Sequence, residues 1–306
     1  MSLLRRVTDF ILQSRSRAFG VAFVCAYIPL LGSISILIAG LVTLRKGALE
    51  GAIILFAATA PFLLSYYIAS TPADQAEMAL IAVVAVVVGN ILVWLYAILL
   101  KRYDNWSLIF ELSILVSVLI IGAVHIFNPD IQSWWSTQLT AYFAKATAGM
   151  EGVPNTDIKM QLQAVDVVKP FATGLTILLI LLNGLLQLLL ARWWEVIMFA
   201  TPGTLRNELN NIRFGYVAGA LFIVILLLSF TGSAVALDIR PVFYGLFSIA
   251  GLSLVHCLLL PAKYAWLWLA LIYIALIVLF PKSIMVVALF ALLDVLLDLR
   301  RRLTRV

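Results

Sequence analysis

Long apolar stretches alternate with short charged clusters along the whole chain, over roughly 18–44, 48–69, 78–100, 107–126, 170–190, 214–232, 241–260, 264–280 and 283–297. A run of about 18 or more apolar residues is what a helix needs to cross a hydrocarbon layer of roughly 30 Å. None of these runs shows the two-residue alternation of a barrel strand. Backbone N–H and C=O groups in lipid must also be satisfied within their own segment, so helices are expected. The pattern predicts an all-α, polytopic transmembrane helix bundle.

The first run is too long for one crossing. As a single helix, 18–44 would extend about 40 Å, and Pro29 followed by Gly32-Ser33 offers a break. Loop charge tests that choice, because cytoplasmic loops of bacterial membrane proteins are rich in Lys and Arg. With 18–31 and 33–44 as a hairpin, only Lys145, Lys159, Lys169, Arg240 and Lys282 of the 21 basic residues face outward, beside acids such as Asp130, Asp166 and Asp238. The inner side then holds both termini, Lys263 and the basic tail 300–306 with Arg305. Reading 18–44 as one crossing would put the N-terminal arginines opposite every later basic loop. The expected topology is ten membrane segments with both ends inside; eight crossings plus two half-helices is the alternative, because the hairpin pieces and the final pair around Pro281-Lys282 are short. A bacterial inner membrane is the expected location.

Composition agrees: 64% of residues are hydrophobic and 12% charged, against about 45–50% and 25% in soluble domains. The formal net charge of +6 comes from clusters between apolar runs, so it reads as a topology signal rather than a nucleic-acid face. Residues 1–17 are expected to form an interfacial amphipathic helix, with Leu3, Leu4, Val7, Phe10 and Ile11 at helical spacing. The membrane domain spans 18–299. Its external connection 127–169 carries Trp134, Trp135, Tyr142 and Phe143 as interfacial anchors. Its cytoplasmic connection 191–213 opens with Arg192-Trp193-Trp194, turns at Pro202-Gly203 and allows a short helix over 204–211.

Polar groups inside apolar runs are expensive and therefore candidates for function. Asn90, Asn183, Gln187, Glu111 and His256 are the candidate ligand contacts. Asn183 and Gln187, four apart, share a helix face, where they serve either a ligand or a neighbouring helix. Asp294 and Asp298, followed by Arg300, invite pairing with the adjacent arginines and anionic lipid. The spacing Gly215 to Gly219 permits close helix approach. Cys25 and Cys257 sit in apolar runs without a CxxC or His-rich context, and there is no Gly-rich phosphate loop, GxSxG or HExxH. The expectation is therefore a non-enzyme without cofactor or metal.

Three stretches carry a resemblance: Pro29 to the Leu-Arg-Lys-Gly ending at Gly47; Arg192-Trp193-Trp194 with Pro202-Gly203, Glu208 and Arg213-Phe214-Gly215; and the closing Leu-Leu-Asp-Val-Leu-Leu-Asp-Leu-Arg-Arg-Arg. In these the chain resembles the YybS-like family of bacterial integral membrane proteins. That family is distantly similar to the substrate-binding membrane subunits of energy-coupling-factor transporters, and to a cell-shape scaffold family. The resemblance implies a bundle that binds a small molecule from outside and meets a cytoplasmic energising partner. The candidate contacts for a cytoplasmic partner or lipid are Arg192, Trp193, Trp194, Pro202, Glu208, Arg213, Asp294, Asp298 and Arg300. This chain is longer than those subunits. The functional expectation is a transporter-like or small-molecule- or lipid-binding membrane subunit; the alternative is a non-transporting scaffold that docks cytoplasmic partners. The topology has a direct test: a reporter placed at residues 45–47 and one at the C-terminus should both report the cytoplasm, and opposite readings would reject the hairpin.

Overall fold

The computed structural model describes residues 3–28, 31–68, 76–147, 155–201, 203–259 and 264–303, and every regular element among them is helical. The elements are α1 (Leu3–Gln13), α2 (Arg15–Tyr27), α3 (Gly32–Lys46), α4 (Ala48–Ile68), α5 (Ala76–Tyr103), α6 (Trp106–Phe127), α7 (Ile131–Thr147), α8 (Asn155–Val168), a 3-10 turn (Lys169–Phe171), α9 (Ala172–Phe199), α10 (Thr204–Asn210), α11 (Tyr216–Phe230), α12 (Ala234–Leu259), α13 (Ala265–Val278), α14 (Lys282–Leu297) and α15 (Leu299–Leu303). Pro29, Pro202, Lys263 and Arg305 lie outside the described residues. The first apolar run is indeed two helices, α2 and α3, which pack against each other and against α4.

Among the described residues, five helical stretches are long and apolar enough to cross a membrane: Ala48–Ile68, Ala79–Tyr103, Trp106–Phe127, Lys159–Phe199 and Ala234–Leu259. Within the apolar 18-residue window of each, only 28% to 44% is buried inside the protein. In water, so much outward apolar surface would be an aggregation liability; in lipid it costs nothing. These are the proportions of a membrane-embedded helical protein. Tyr216–Phe230 and Ala265–Val278 are apolar but shorter.

The chain divides into two compact units, Met1–Ile109 with Leu179–Leu209, and Phe110–Leu178 with Asn210–Val306. The core of the first gathers Ile11, Ala18, Ala22, Ile38, Ala39, Leu41, Ile54, Ala57, Val93 and Trp194. Small residues let its helices close up: a Cβ on Gly51 of α4 would fall on the Thr43 side chain of α3. Helix α1 belongs to this core along one edge only. Thr8 is fully buried and its hydroxyl accepts the Trp194 indole N–H at 2.8 Å, and Ile11 is buried. Leu3, Val7 and Phe10 stay exposed, which leaves an outward apolar edge of the kind an interfacial helix needs.

The second unit is built on α12. Phe214, Phe222, Phe243 and Phe247 stack at its centre, with Phe214 and Phe247 centroids 4.1 Å apart and near-parallel. Helix α12 packs most extensively against α14, and Gly251 is what permits it, since a Cβ there would lie 2.3 Å from the Val287 carbonyl oxygen. Gly219 similarly admits the Val295 side chain, so the Gly215–Gly219 spacing serves packing inside the unit. Overpacking of this kind costs about 1–3 kcal/mol. Gly251→Ala should therefore lower the unfolding midpoint in detergent, whereas Gly122→Ala, which meets nothing within 4 Å, should leave it unchanged or raise it slightly.

Candidate functional site

Helix α14 stops at Leu297 because Asp298 takes a left-handed backbone, φ 53°, a conformation that short polar residues tolerate. The turn leads into α15 and brings Arg300 back onto Asp294. Asp294 is only 2% exposed. One of its oxygens accepts the Arg300 backbone N–H at 3.1 Å and the other the guanidinium Nε–H at 3.0 Å. The rest of the guanidinium is spent on the Asn210 carbonyl at 2.5 Å, the Ile212 carbonyl at 2.7 Å, and the Ala250 carbonyl and Ser253 hydroxyl at 3.3 Å each. A rigid fork of five donors suits this role; a lysine could not make it. Arg300 thus ties the 210–212 segment, α12 and α14 together, and the local pairing expected for Asp294 and Arg300 is present.

Asp298 finds a more distant partner than its neighbouring arginines. It accepts from Arg213 Nη1 at 2.7 Å, while Arg213 Nη2 reaches the Asp294 carbonyl at 3.1 Å. Arg301 and Arg302 are exposed. Beside this pair lies a recess of about 340 Å³ lined by Glu111, Arg213, Phe214, Gly215, Tyr216, Val295 and Asp298. Glu111 accepts the Gly215 backbone N–H with Oε1, which satisfies a donor at the start of α11. Two carboxylates face one guanidinium in this lining, and each carboxylate commits one oxygen to these protein contacts. The recess is thus electronegative, with apolar walls from Phe214 and Val295.

The other expected residues fall elsewhere. The Asn90 amide donates to the Thr59 hydroxyl at 3.2 Å, which ties α5 to α4. Asn183 and Gln187 share a helix but not an environment: Asn183 is exposed, whereas Gln187 is 6% exposed with its Oε1 buried and without a hydrogen bond. His256, near the end of α12, meets Tyr273 of α13. Arg192, Trp193 and Trp194 are not in a loop. Helix α9 continues nine residues beyond the apolar run to Phe199, because the Arg192 charge is satisfied along the way. Its guanidinium binds Glu208 at 2.6 Å, Glu195 at 2.8 Å and Asp104 at 3.4 Å. Glu208, on α10, also accepts the Trp106 indole N–H. Trp194 points inward to Thr8 and Trp193 is exposed. The expected cytoplasmic-contact residues of this group therefore make a structural junction of the first unit.

One buried pair has no counterpart in the sequence reading. Asp238, expected in an outer loop, is 2% exposed on α12; His125 Nε2 lies 3.0 Å from its Oδ2, and the Gly174 backbone N–H donates to its Oδ1 at 2.7 Å. The signal was the apolar stretch 234–237 ahead of Asp238, which extends the run at 241–260 backward; Pro241 sits inside the resulting helix. Gly174 is required there, since its Cβ would overlap the Asp238 carbonyl.

Comparison of the chain with known protein families, characterised proteins and solved structures finds no match, so a functional reading stands on this geometry. Removing one member of a buried ion pair costs about 3–5 kcal/mol because the other is left uncompensated. Arg300→Ala should cost about that much in reversible unfolding, and Arg300→Lys should recover only part of it. Combining Arg300→Met with Asp294→Leu should restore more than Arg300→Ala alone retains.

Proposed function

We propose that this is a transporter-like membrane protein of a bacterial inner membrane that binds a small molecule carrying a cationic group in the Glu111–Arg213–Asp298 recess. The observation that carries the reading is the lining itself: two carboxylates against one guanidinium in a recess of about 340 Å³, a size within the range of ligand pockets. Glu111 and Asp298 each have a second oxygen to offer an ammonium group. Arg213 holds Asp298 in place and can pair with an anionic part of the same ligand. Phe214 and Val295 supply the apolar contact that most small-molecule sites use. The expected topology of eight to ten membrane segments with both ends inside would open this recess to the cytoplasm. Asn90 and the Arg192 junction serve the scaffold in this account.

A bound ligand at 100 times its dissociation constant stabilises the folded protein by about 2.7 kcal/mol, so thermal unfolding in detergent can screen small amines, among them ethanolamine, choline and spermidine. At least one should raise the unfolding temperature of the wild type and not that of Glu111→Gln or Asp298→Asn, while acetate and phosphate should have no such effect. Equal stabilisation by anions, or an undiminished response in Glu111→Gln, would reject the site. If amines do nothing and crosslinking in native membranes recovers a stable protein partner, the docking reading replaces this one.

A further inference from the structure

A groove of about 550 Å³ opens elsewhere in the second unit, lined by Ser248 and Leu252 of α12, Leu276 and Ile277 of α13, and Ile284 and Val287 of α14. Its origin is an asymmetry in packing. Gly251 lets the α12 backbone close onto the α14 backbone at Val287, whereas α13 makes far fewer contacts with either and keeps Trp266, Trp268, Ile274 and Ile277 exposed. The one polar side chain in the lining is silent, because the Ser248 hydroxyl donates to the Gly245 carbonyl of its own helix at 2.7 Å.

The groove has one polar end. His256 follows Leu252 by four residues and Tyr273 precedes Ile277 by four, so each continues the groove-lining face of its helix by one turn, and the two side chains meet there, His256 Nε2 to the Tyr273 hydroxyl at 3.4 Å. His256 Nδ1 lies 2.8 Å from the Leu252 carbonyl. A carbonyl only accepts, so Nδ1 carries the hydrogen and, in the neutral ring, Nε2 is left as an acceptor. The Tyr273 hydroxyl occupies that acceptor at 3.4 Å, longer than a good O–H bond to nitrogen, so a closer hydroxyl would displace it.

We propose that this groove binds a long-chain alcohol or other hydroxyl-headed single-chain lipid, with the hydroxyl donating to His256 Nε2 beside Tyr273 and the chain running along Leu252, Ile277 and Ile284. The distance from His256 back to Ser248 along α12 is about 12 Å at 1.5 Å per residue, enough to hold the head-proximal part of such a chain while its remainder lies in the bilayer. A charged carboxylate head is disfavoured, since it has no hydrogen to give and no cation among the groove-lining side chains. This site is independent of the Arg213 recess and shares no lining residue with it.

The test is photolabelling of the full-length protein in phosphatidylethanolamine–phosphatidylglycerol vesicles with a diazirine-bearing hexadecanol, compared with its methyl ether and with the matching fatty acid. Labelling should concentrate on Leu252, Ile277 and Ile284 and be displaced by excess hexadecanol. Loss of one hydrogen bond corresponds to roughly a fivefold loss of binding, so the ether should label about fivefold less. His256→Phe should lose the alcohol's advantage over the ether, and Leu252→Trp should block labelling by filling the groove. If His256→Phe does not fold, the ether comparison on the wild type still decides. Labelling spread evenly over the exposed face of α13, equal labelling by alcohol and ether, or stronger labelling by the fatty acid would overturn the proposal. So would crosslinking of the groove to another protein in place of lipid.

Discussion

A charge buried away from water has to meet its opposite, and that constraint shapes the interior of both units. Among the described residues the fully buried charged side chains are all acids: Glu195, Asp238 and Asp294. Each has a cationic or imidazole partner, from Arg192, His125 and Arg300 respectively. None could be left alone, since an unpaired charge in a medium of low dielectric costs several kcal/mol. Such pairs are weak evidence for net stability, because well-packed apolar residues could do as well. What they provide is registry: His125–Asp238 joins α6 to α12 and Arg300 carries Asp294 of α14 onto carbonyls of α12 and the 210–212 segment, whereas Glu195 shares α9 with Arg192, whose link to another helix is Glu208 of α10.

One device recurs in the two units. Asp104 after α5 and Asp298 after α14 both take a left-handed backbone, φ 46° and 53°, and both turn a carboxylate toward an arginine from another element, Arg192 and Arg213. An aspartate is suited to both tasks, since its short side chain tolerates that backbone and carries the charge. Each helix end is thereby joined to an ion pair. Glycines complete the arrangement by letting backbones approach, Gly174 at the Asp238 pair and Gly251 where α12 meets α14 at Val287.

The two candidate binding sites differ because their surroundings differ. The Arg213 recess lies where helix ends and charged residues converge, so its lining can recognise charge. The His256 groove lies between apolar helix faces, where only one polar corner exists to orient a ligand. In the readings proposed above, electrostatic discrimination would govern the first and shape with a single hydrogen bond the second.

The sequence by itself determined the helical membrane class, the broken first run and the short helix before Arg213, because hydropathy, proline and loop composition act locally on the residues that carry them. It also made the Asp294–Arg300 pair legible, six residues apart across one turn. Which distant residues meet was decided by tertiary structure alone. Nothing in the chain order joins Asp298 to Arg213, Glu111 to the Gly215 amide, or His125 to Asp238, each pair separated by 85 or more positions. The helices that bring them together are apolar on every side, so no polar stripe marks which face turns inward. Nor could local reading show that Arg192, charged as it is, stays within α9, since what allows the helix to continue is three carboxylates supplied by α9 itself, by α10 and by the turn after α5.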